Sequence, residues 1–344
     1  MNVELNKLKS WILEIAVIIA CIVLVLVVTI SISGLDLSRA FSVFINSTFG
    51  STTGLLFVLR RATPLIIAAV GLSIAFTASF WNIGAEGQIA LGGIATAGVC
   101  LFTGLTGGIA IAVAFIASFL FGSGYAGVAA YLKAKWDVND IVITMLMSLV
   151  AIALLNYLIA GPWYWWEGPS GLYSRTAPIP ASEQMPAIVY PLNSMFIVAI
   201  AISIVAHYFL SKTQVGYKIR MVGDNKMASM VSGINPVKTM TLAGLISGGI
   251  CAFGGTALVL GEYFRLQGGI TGQYGFFAIP IALFCRNKPT VIPFGAFLVA
   301  VVMEGALSLV SVGMSNRLSD VLLGTLFIII FLPELIKGLK RRLT

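Results

Sequence analysis

The side chains best suited to chemistry lie where long apolar runs are interrupted. The densest group is Phe80-Trp81-Asn82-Ile83-Gly84-Ala85-Glu86-Gly87-Gln88, followed by Gly92 and Gly93. Two amides, Asn82 and Gln88, flank the carboxylate of Glu86. Polar groups inside a bilayer are costly and therefore mark a hydrogen-bonded joint or the wall of a solute pathway. Glu86 fits both readings: a carboxylate bonding backbone N–H groups at a tight inter-helix corner, or a polar lining. Glu304, in Val301-Val302-Met303-Glu304-Gly305, and Asn156, in Leu154-Leu155-Asn156-Tyr157, are isolated polar residues within apolar runs. Glu304 suits a buried bond or a proton or solute site, whereas His207 reads as a satisfied interfacial histidine rather than a proton relay. The sequence contains no phosphate-loop motif, no H-E-x-x-H and no paired nucleophile and base. No catalytic residue, metal site or cofactor is nominated, and an intramembrane enzyme has no candidate nucleophile. Proton-coupled carriers place several titratable groups in their spans. Their scarcity here favours energy supplied by another subunit, with a secondary transporter using Glu304 or Glu86 as the rival.

The elements that must hold these residues follow from composition. Of 344 residues, 58% are hydrophobic and 10% charged, where a soluble domain carries about 25% charged residues. The chain reads as an all-α polytopic membrane protein, a single transmembrane domain over 1–344. Apolar blocks at about 11–33, 64–80, 83–103, 107–132, 141–161, 194–210, 239–261, 275–285, 291–314 and 319–336 match the ~20-residue length of a span and predict about ten transmembrane helices. The block from Gly275 to Cys285 is short, and Gly268, Gly269 and Gly272 precede it, so a re-entrant element is the alternative there. Five spans out and five back would make two inverted five-helix halves, with any pathway at their interface. Cys21, Cys100, Cys251 and Cys285 read as small core residues.

The formal charge of +8 is explained by topology without nucleic acid. With the N-terminus inside, fifteen of the 21 Lys and Arg residues fall on cytoplasmic segments, the sign expected for the inner face, and both termini are cytoplasmic. Arg60 and Arg61, just before Pro64, fit this scheme poorly and read as caps on a partly inserted helix between Phe41 and Leu59. The segment 162–192, with Trp163, Tyr164, Trp165, Trp166 and six prolines, reads as an outer loop at headgroup level or a docking surface. The segment 211–238 holds five basic residues and Asp224. Its short helix-compatible run, Asn225 to Val231, ends at Gly233 and Pro236. It is either a basic topology loop or a surface on which a cytosolic partner pushes.

Arg61-Ala62-Thr63-Pro64-Leu65, Trp81 to Gln88, Asn139-Asp140-Ile141-Val142 with Thr144-Met145-Leu146, Leu155-Asn156-Tyr157-Leu158 and Gly161-Pro162-Trp163 resemble permease subunits of ABC importers of the ribose and nucleoside class. The nucleoside-type branch is the most similar. The run Val222 to Ser229 continuing to Gly233-Ile234-Asn235 is similar to that family's G-x-N-x-x-A-A-x-x-x-G-I coupling motif. The resemblance implies a permease in the bacterial cytoplasmic membrane that moves a nucleoside or related sugar. It also implies a cytosolic ATPase subunit, a second related permease chain in a heterodimer and an extracytoplasmic solute-binding protein. Gly223, Asp224, Asn225, Lys226, Ala228, Gly233 and Ile234 fall in the coupling segment, and Asn82, Glu86 and Gln88 at the corner beside the pathway, where Asn156 and Glu304 are also candidates. Ser229 replaces the motif's second Ala, and Phe277 and Ala278 interrupt the family's usual G-F-D-G-I stretch.

Overall fold

The computed structural model describes residues 20–329 apart from 22, 166–173, 316, 319, 326 and 327. The start of the first apolar block, most of the last, and Trp166 lie outside these residues. The helices are α1 (Val23–Ile32), α2 (Leu37–Thr48), α3 (Thr52–Thr77), α4 (Ala85–Phe102), α5 (Gly107–Trp136), α6 (Asp140–Ala160), α7 (Met195–Lys212), α8 (Gln214–Asp224), α9 (Lys226–Val231), α10 (Pro236–Leu258), α11 (Tyr274–Phe284) and α12 (Ile292–Ser311). A short antiparallel pair, β1 (Ala187–Val189) and β2 (Leu192–Asn193), precedes α7. Among the described residues seven helices are long and apolar enough to cross a membrane, and α1 and α11 are shorter apolar helices.

The chain forms two compact units, Leu59–Phe297 and the combination of Met1–Val58 with Leu298–Thr344. In the larger unit α4 and α10 are central. The most apolar stretch of α4 is 83% buried and that of α10 with its continuation 78%, against 22% for α6 and 28% for α7. Lipid offers apolar side chains no less than a protein core does, so helices in membranes associate chiefly by close packing of small residues. A methyl on Gly122 of α5 would meet the Ala252 Cβ of α10 at 2.5 Å, and one on Gly71 of α3 would meet the Cys251 Sγ at 2.7 Å. One on Gly92 of α4 would overlap the Ala252 backbone. Cys100, Cys251 and Cys285 are buried and Cys21 is half-buried, all as free thiols.

In the smaller unit Asp36 caps α2 by accepting from Arg39 N at 2.7 Å. The Phe44 ring lies over Gly305 of α12, and Ser47 and Ser308 share a hydroxyl bond of 2.9 Å. Glu304 is half-buried in the same helix.

The structure corrects two local readings. Arg60 and Arg61 do not cap a separate helix: α3 begins at Thr52 and carries both arginines and Pro64 inside it. Arg60 pairs with Glu262 at 3.6 Å and Arg61 donates to the Tyr274 hydroxyl at 3.1 Å, so partners distant in sequence hold charges that local hydropathy assigns to water. The segment 211–238 is not a loop with one short helix. It folds as α8, α9 and the start of α10, and Pro236 opens α10 rather than closing α9.

The packing makes a paired prediction. Gly92→Leu should lower the thermal unfolding midpoint of the purified protein, because overpacking a close contact costs about 1–3 kcal/mol. Gly124→Ala, where nothing lies within 4 Å of the added methyl, should leave it unchanged or raise it. Thermal unfolding in one detergent checks both, and equal effects would refute the packing argument.

Candidate functional site

The site begins where α3 stops. Phe80 N bonds Ala75 O at 3.0 Å across a left-handed Ser79 (φ 55°), which closes the helix and sends residues 81–84 across in non-helical form before α4 starts. Backbone N–H groups released inside an apolar bundle need internal acceptors. One face of α6 supplies them at four-residue intervals. Asp140 Oδ2 accepts from Trp81 N at 2.7 Å, Thr144 Oγ1 from Ile83 N at 3.1 Å, and Ser148 Oγ from Gly87 N at 3.2 Å. All three side chains are buried, as spacing of four on a helix requires if they share a face. At the start of α6 Lys133 lies 2.9 Å from Asp137 and 3.8 Å from Asp140. The Lys133 ammonium holds the Asp137 carboxyl below its usual range.

The two amides lock the turn. Gln88 Nε2 donates to Asn82 Oδ1 at 2.9 Å and Asn82 Nδ2 to Gln88 Oε1 at 3.1 Å, while Asn82 Nδ2 also donates to Ser247 Oγ of α10 at 3.1 Å. Asn82 is 0% and Gln88 1% exposed.

Glu86 is engaged by α11. This helix has 11 residues, about 16 Å at 1.5 Å per residue and about half of a ~30 Å hydrocarbon core. Its first N–H groups open against the start of α4 in the larger unit. Glu86 Oε1 accepts from Gln273 N at 3.0 Å and Oε2 from Gly275 N at 2.7 Å, placing a carboxylate at the positive end of a helix dipole. Arg61 and the fully buried Tyr274 adjoin this contact. Sequence reasoning missed Arg60, Arg61, Glu262 and Tyr274 as one group; the available signal was an arginine pair in an otherwise apolar run.

Upstream of α11 the backbone leaves α10 through a π turn, Val259–Tyr263, and runs irregularly to residue 273. The segment 174–185 covers it: Thr176 N bonds Leu266 O at 2.9 Å, Ile179 N bonds Phe264 O at 2.7 Å, and Met185 N bonds Leu260 O at 2.9 Å. Trp163 packs on Phe102 with centroids 5.0 Å apart. The segment is thus a backbone clasp over an opened helix. Beside it a cavity of about 670 Å³ is lined by Asn156, Ile159, Ser174, Arg175, Gln267 and Gly268 among others. The structure therefore brings Asn82, Glu86 and Gln88 together, gives Asn156 a place on this cavity, and puts Glu304 in the other compact unit.

The coupling-motif residues have local reasons. Gly223 lies against Thr77, whose carbonyl oxygen a methyl would overlap. Asn225 caps α9 by accepting from Ala228 N at 3.0 Å. Gly233 (φ 77°) ends α9 in a Schellman turn, with Gly233 N to Met230 O and Ile234 N to Ser229 O both 3.0 Å. Ile234 is buried with Ala75, Phe80, Val222 and Met240. Asp224, Lys226 and Ala228 are exposed. So are Met227, Met230 and Val231, an apolar face that sequence reasoning did not single out.

Glu86→Ala leaves the Gln273 and Gly275 N–H groups buried without acceptors, a loss of about 1–3 kcal/mol for each such group. Thermal unfolding should fall accordingly, and amide exchange at the start of α11 should rise. Glu86→Gln should fall between, because its amide presents one acceptor to two donors. Unchanged exchange at residues 273–275 in Glu86→Ala would refute the assignment.

Residues 54–331 match the model of the family described as branched-chain amino acid transport system, permease component. The chain is 30% identical over 312 residues to the glucose ABC transporter permease protein TsgB13 of Haloferax volcanii, covering 87% of this chain and 81% of that protein. It is 27% identical over 306 residues to the guanosine ABC transporter permease protein NupP of Bacillus subtilis, covering 87% of each. It is also 30% identical over 242 residues to NupQ, another guanosine ABC transporter permease protein of that organism, covering 66% of this chain and 73% of that one. With its membrane-spanning helices and these relatives, the chain belongs to this family of multi-pass ABC transporter permeases, whose ATP hydrolysis resides on a separate subunit.

Proposed function

We propose that the chain is one permease subunit of an ATP-driven importer that moves a nucleoside, or a related sugar, across the bacterial cytoplasmic membrane. Two of the relatives above are named for guanosine and one for glucose. NupP and NupQ are two permease chains of one organism carrying one solute name, which supports a heterodimer with a second related permease. A cytosolic ATPase subunit and an extracytoplasmic solute-binding protein complete the assembly. In this reading residues 1–344 form a single permease domain of ten spans in two inverted halves, with both termini cytoplasmic. The seven long apolar helices, the two shorter ones and the apolar stretch 319–336 together supply that number.

The observation that carries the reading is the form of 211–238. Capped at Thr213, Asn225 and Asn235, it presents Lys226, Met227, Met230 and Val231 outward while Ile234 and Gly223 seat it on the membrane core. A rigid helix with an apolar face can receive a push that a solvated loop cannot. Gly223, Asp224, Asn225, Lys226, Ala228, Gly233 and Ile234 serve coupling in the proposal. Asn82, Glu86 and Gln88 shape the pathway by fixing the start of α4 and α11, and Asn156 and Glu304 are the further candidates for solute contact. A hydroxyl-rich neutral solute needs such hydrogen-bonding groups in an otherwise apolar wall.

Vesicles holding this permease, its partner chains and internal ATP should take up nucleoside with the proton gradient collapsed. Loss of uptake on collapse would favour proton coupling through Glu304 or Glu86 and refute the ATP-driven reading. Lys226→Glu and Gly233→Val should each weaken ATPase-subunit association about tenfold, equivalent to about 1.4 kcal/mol. Normal assembly and normal ATPase stimulation in both would overturn the coupling assignment.

A further inference from the structure

A second cavity, of about 520 Å³, opens where several helices of the larger unit end: the C-terminus of α3, the last turn of α7, the end of α8 and the turn between α11 and α12. Its charged and titratable lining consists of His207, Arg220, Arg286 and Lys288 with a single carboxylate, Asp224. Arg220 also buries Nη1, and Asn287 buries Oδ1, with no hydrogen-bond partner among the described residues. The oxygen and nitrogen of the Asn287 amide exchange by a half-turn, so this group donates as readily as it accepts. A buried guanidinium nitrogen without an acceptor is costly, and both residues line the same cavity.

The position narrows the ligand. α3 and α7 are membrane-spanning candidates, and the cavity sits at their ends, the level at which phospholipid headgroups lie. Arg and Lys together, with an amide donor, suit an anion with several acceptor oxygens, and the volume exceeds what one carboxylate needs. Basic pockets between spans are a recurrent seat for anionic headgroups. We propose that this cavity is a binding site for a phosphate group, held by Arg220, Arg286 and Lys288, with Asn287 donating from the α11–α12 turn. Its occupant rests against Gly223 and Asp224 from the membrane side, and so bears on the back of the segment that carries Lys226 and Met227 on its exposed face. Occupancy of this cavity is independent of which solute the permease moves.

The test uses the full-length chain purified in detergent. Native mass spectrometry measures retention of phosphatidylglycerol and phosphatidylcholine, and thermal unfolding measures stabilisation by inorganic phosphate. Wild-type protein should retain phosphatidylglycerol over phosphatidylcholine. Arg220→Gln and Lys288→Gln should each lower that retention by about fivefold, the usual contribution of one basic residue at an anionic surface. Lys238→Gln, an exposed basic position outside the cavity, should not. Lys288 is exposed, so its variant reports even where Arg220→Gln fails to fold. Stabilisation by inorganic phosphate, lost in Lys288→Gln and without lipid preference, would support the same site filled from solution. Equal retention of the two lipids without phosphate stabilisation would overturn the proposal. So would Lys288→Gln that keeps lipid and phosphate but loses ATPase-subunit binding, since the cations would then serve a protein.

Discussion

In a hydrocarbon environment every backbone N–H that leaves a helix must find an acceptor inside the protein. Two departures from helix in the larger unit, at residues 78–84 and from the π turn at Val259 to Gln273, draw their partners from elements remote in the chain. Each break is matched by a dedicated set of acceptors. Asp140, Thr144 and Ser148 satisfy the first. At the second, Glu86, Thr176 Oγ1 and Ser174 O accept from backbone N–H groups, while the N–H groups of Thr176, Ile179 and Met185 donate to its freed carbonyls. The polar residues in the apolar runs are placed largely by this requirement. Glu86 links the two breaks, since it belongs to the helix that starts after one and caps the helix that starts after the other.

Much of this was legible in the sequence wherever the signal was local. The helix-compatible run after Asp224 and its stop at Gly233 depend on neighbours within a few residues and were read correctly, whereas Pro236 opens α10 rather than closing α9. Seven of the apolar blocks coincide with long apolar helices among the described residues, because span length is a local property. Asp140, Thr144 and Ser148 also carried a readable period of four, although their partners in 81–87 did not. Failures occurred where the partner is remote in the chain. Arg60 and Arg61 break the hydropathy of α3, and their partners Glu262 and Tyr274 lie about two hundred residues away. Glu86 remained open between a joint and a pathway because its two donors are 187 and 189 residues away. The fold of 174–185 against 260–268 was illegible for the same reason, with prolines and aromatics showing only that the segment is not one helix.

The segment 211–238 and the first helix break share one core. Phe80, at the turn between α3 and α4, is buried with Val222, Ile234 and Met240 from α8, the α9–α10 turn and α10. Ser79 Oγ donates to Gly223 O at 2.9 Å, and Gly223 lies close enough to Thr77 that no side chain fits between them. Interiors packed at this density transmit displacement rather than absorb it. In the proposed mechanism, a push on the exposed face of α9 moves Ile234 and Gly223 and with them Phe80. Asn82 lies two residues further along the same non-helical stretch, and Glu86 four residues beyond that. A displacement there reaches the start of α11 through two charge-assisted bonds. The physical warrant is a contiguous series of packed and hydrogen-bonded groups with a helix end at either terminus. The motif glycine and isoleucine then have a mechanical meaning: one removes the side chain that would hold α8 off α3, and the other anchors α9 to the wall that must move.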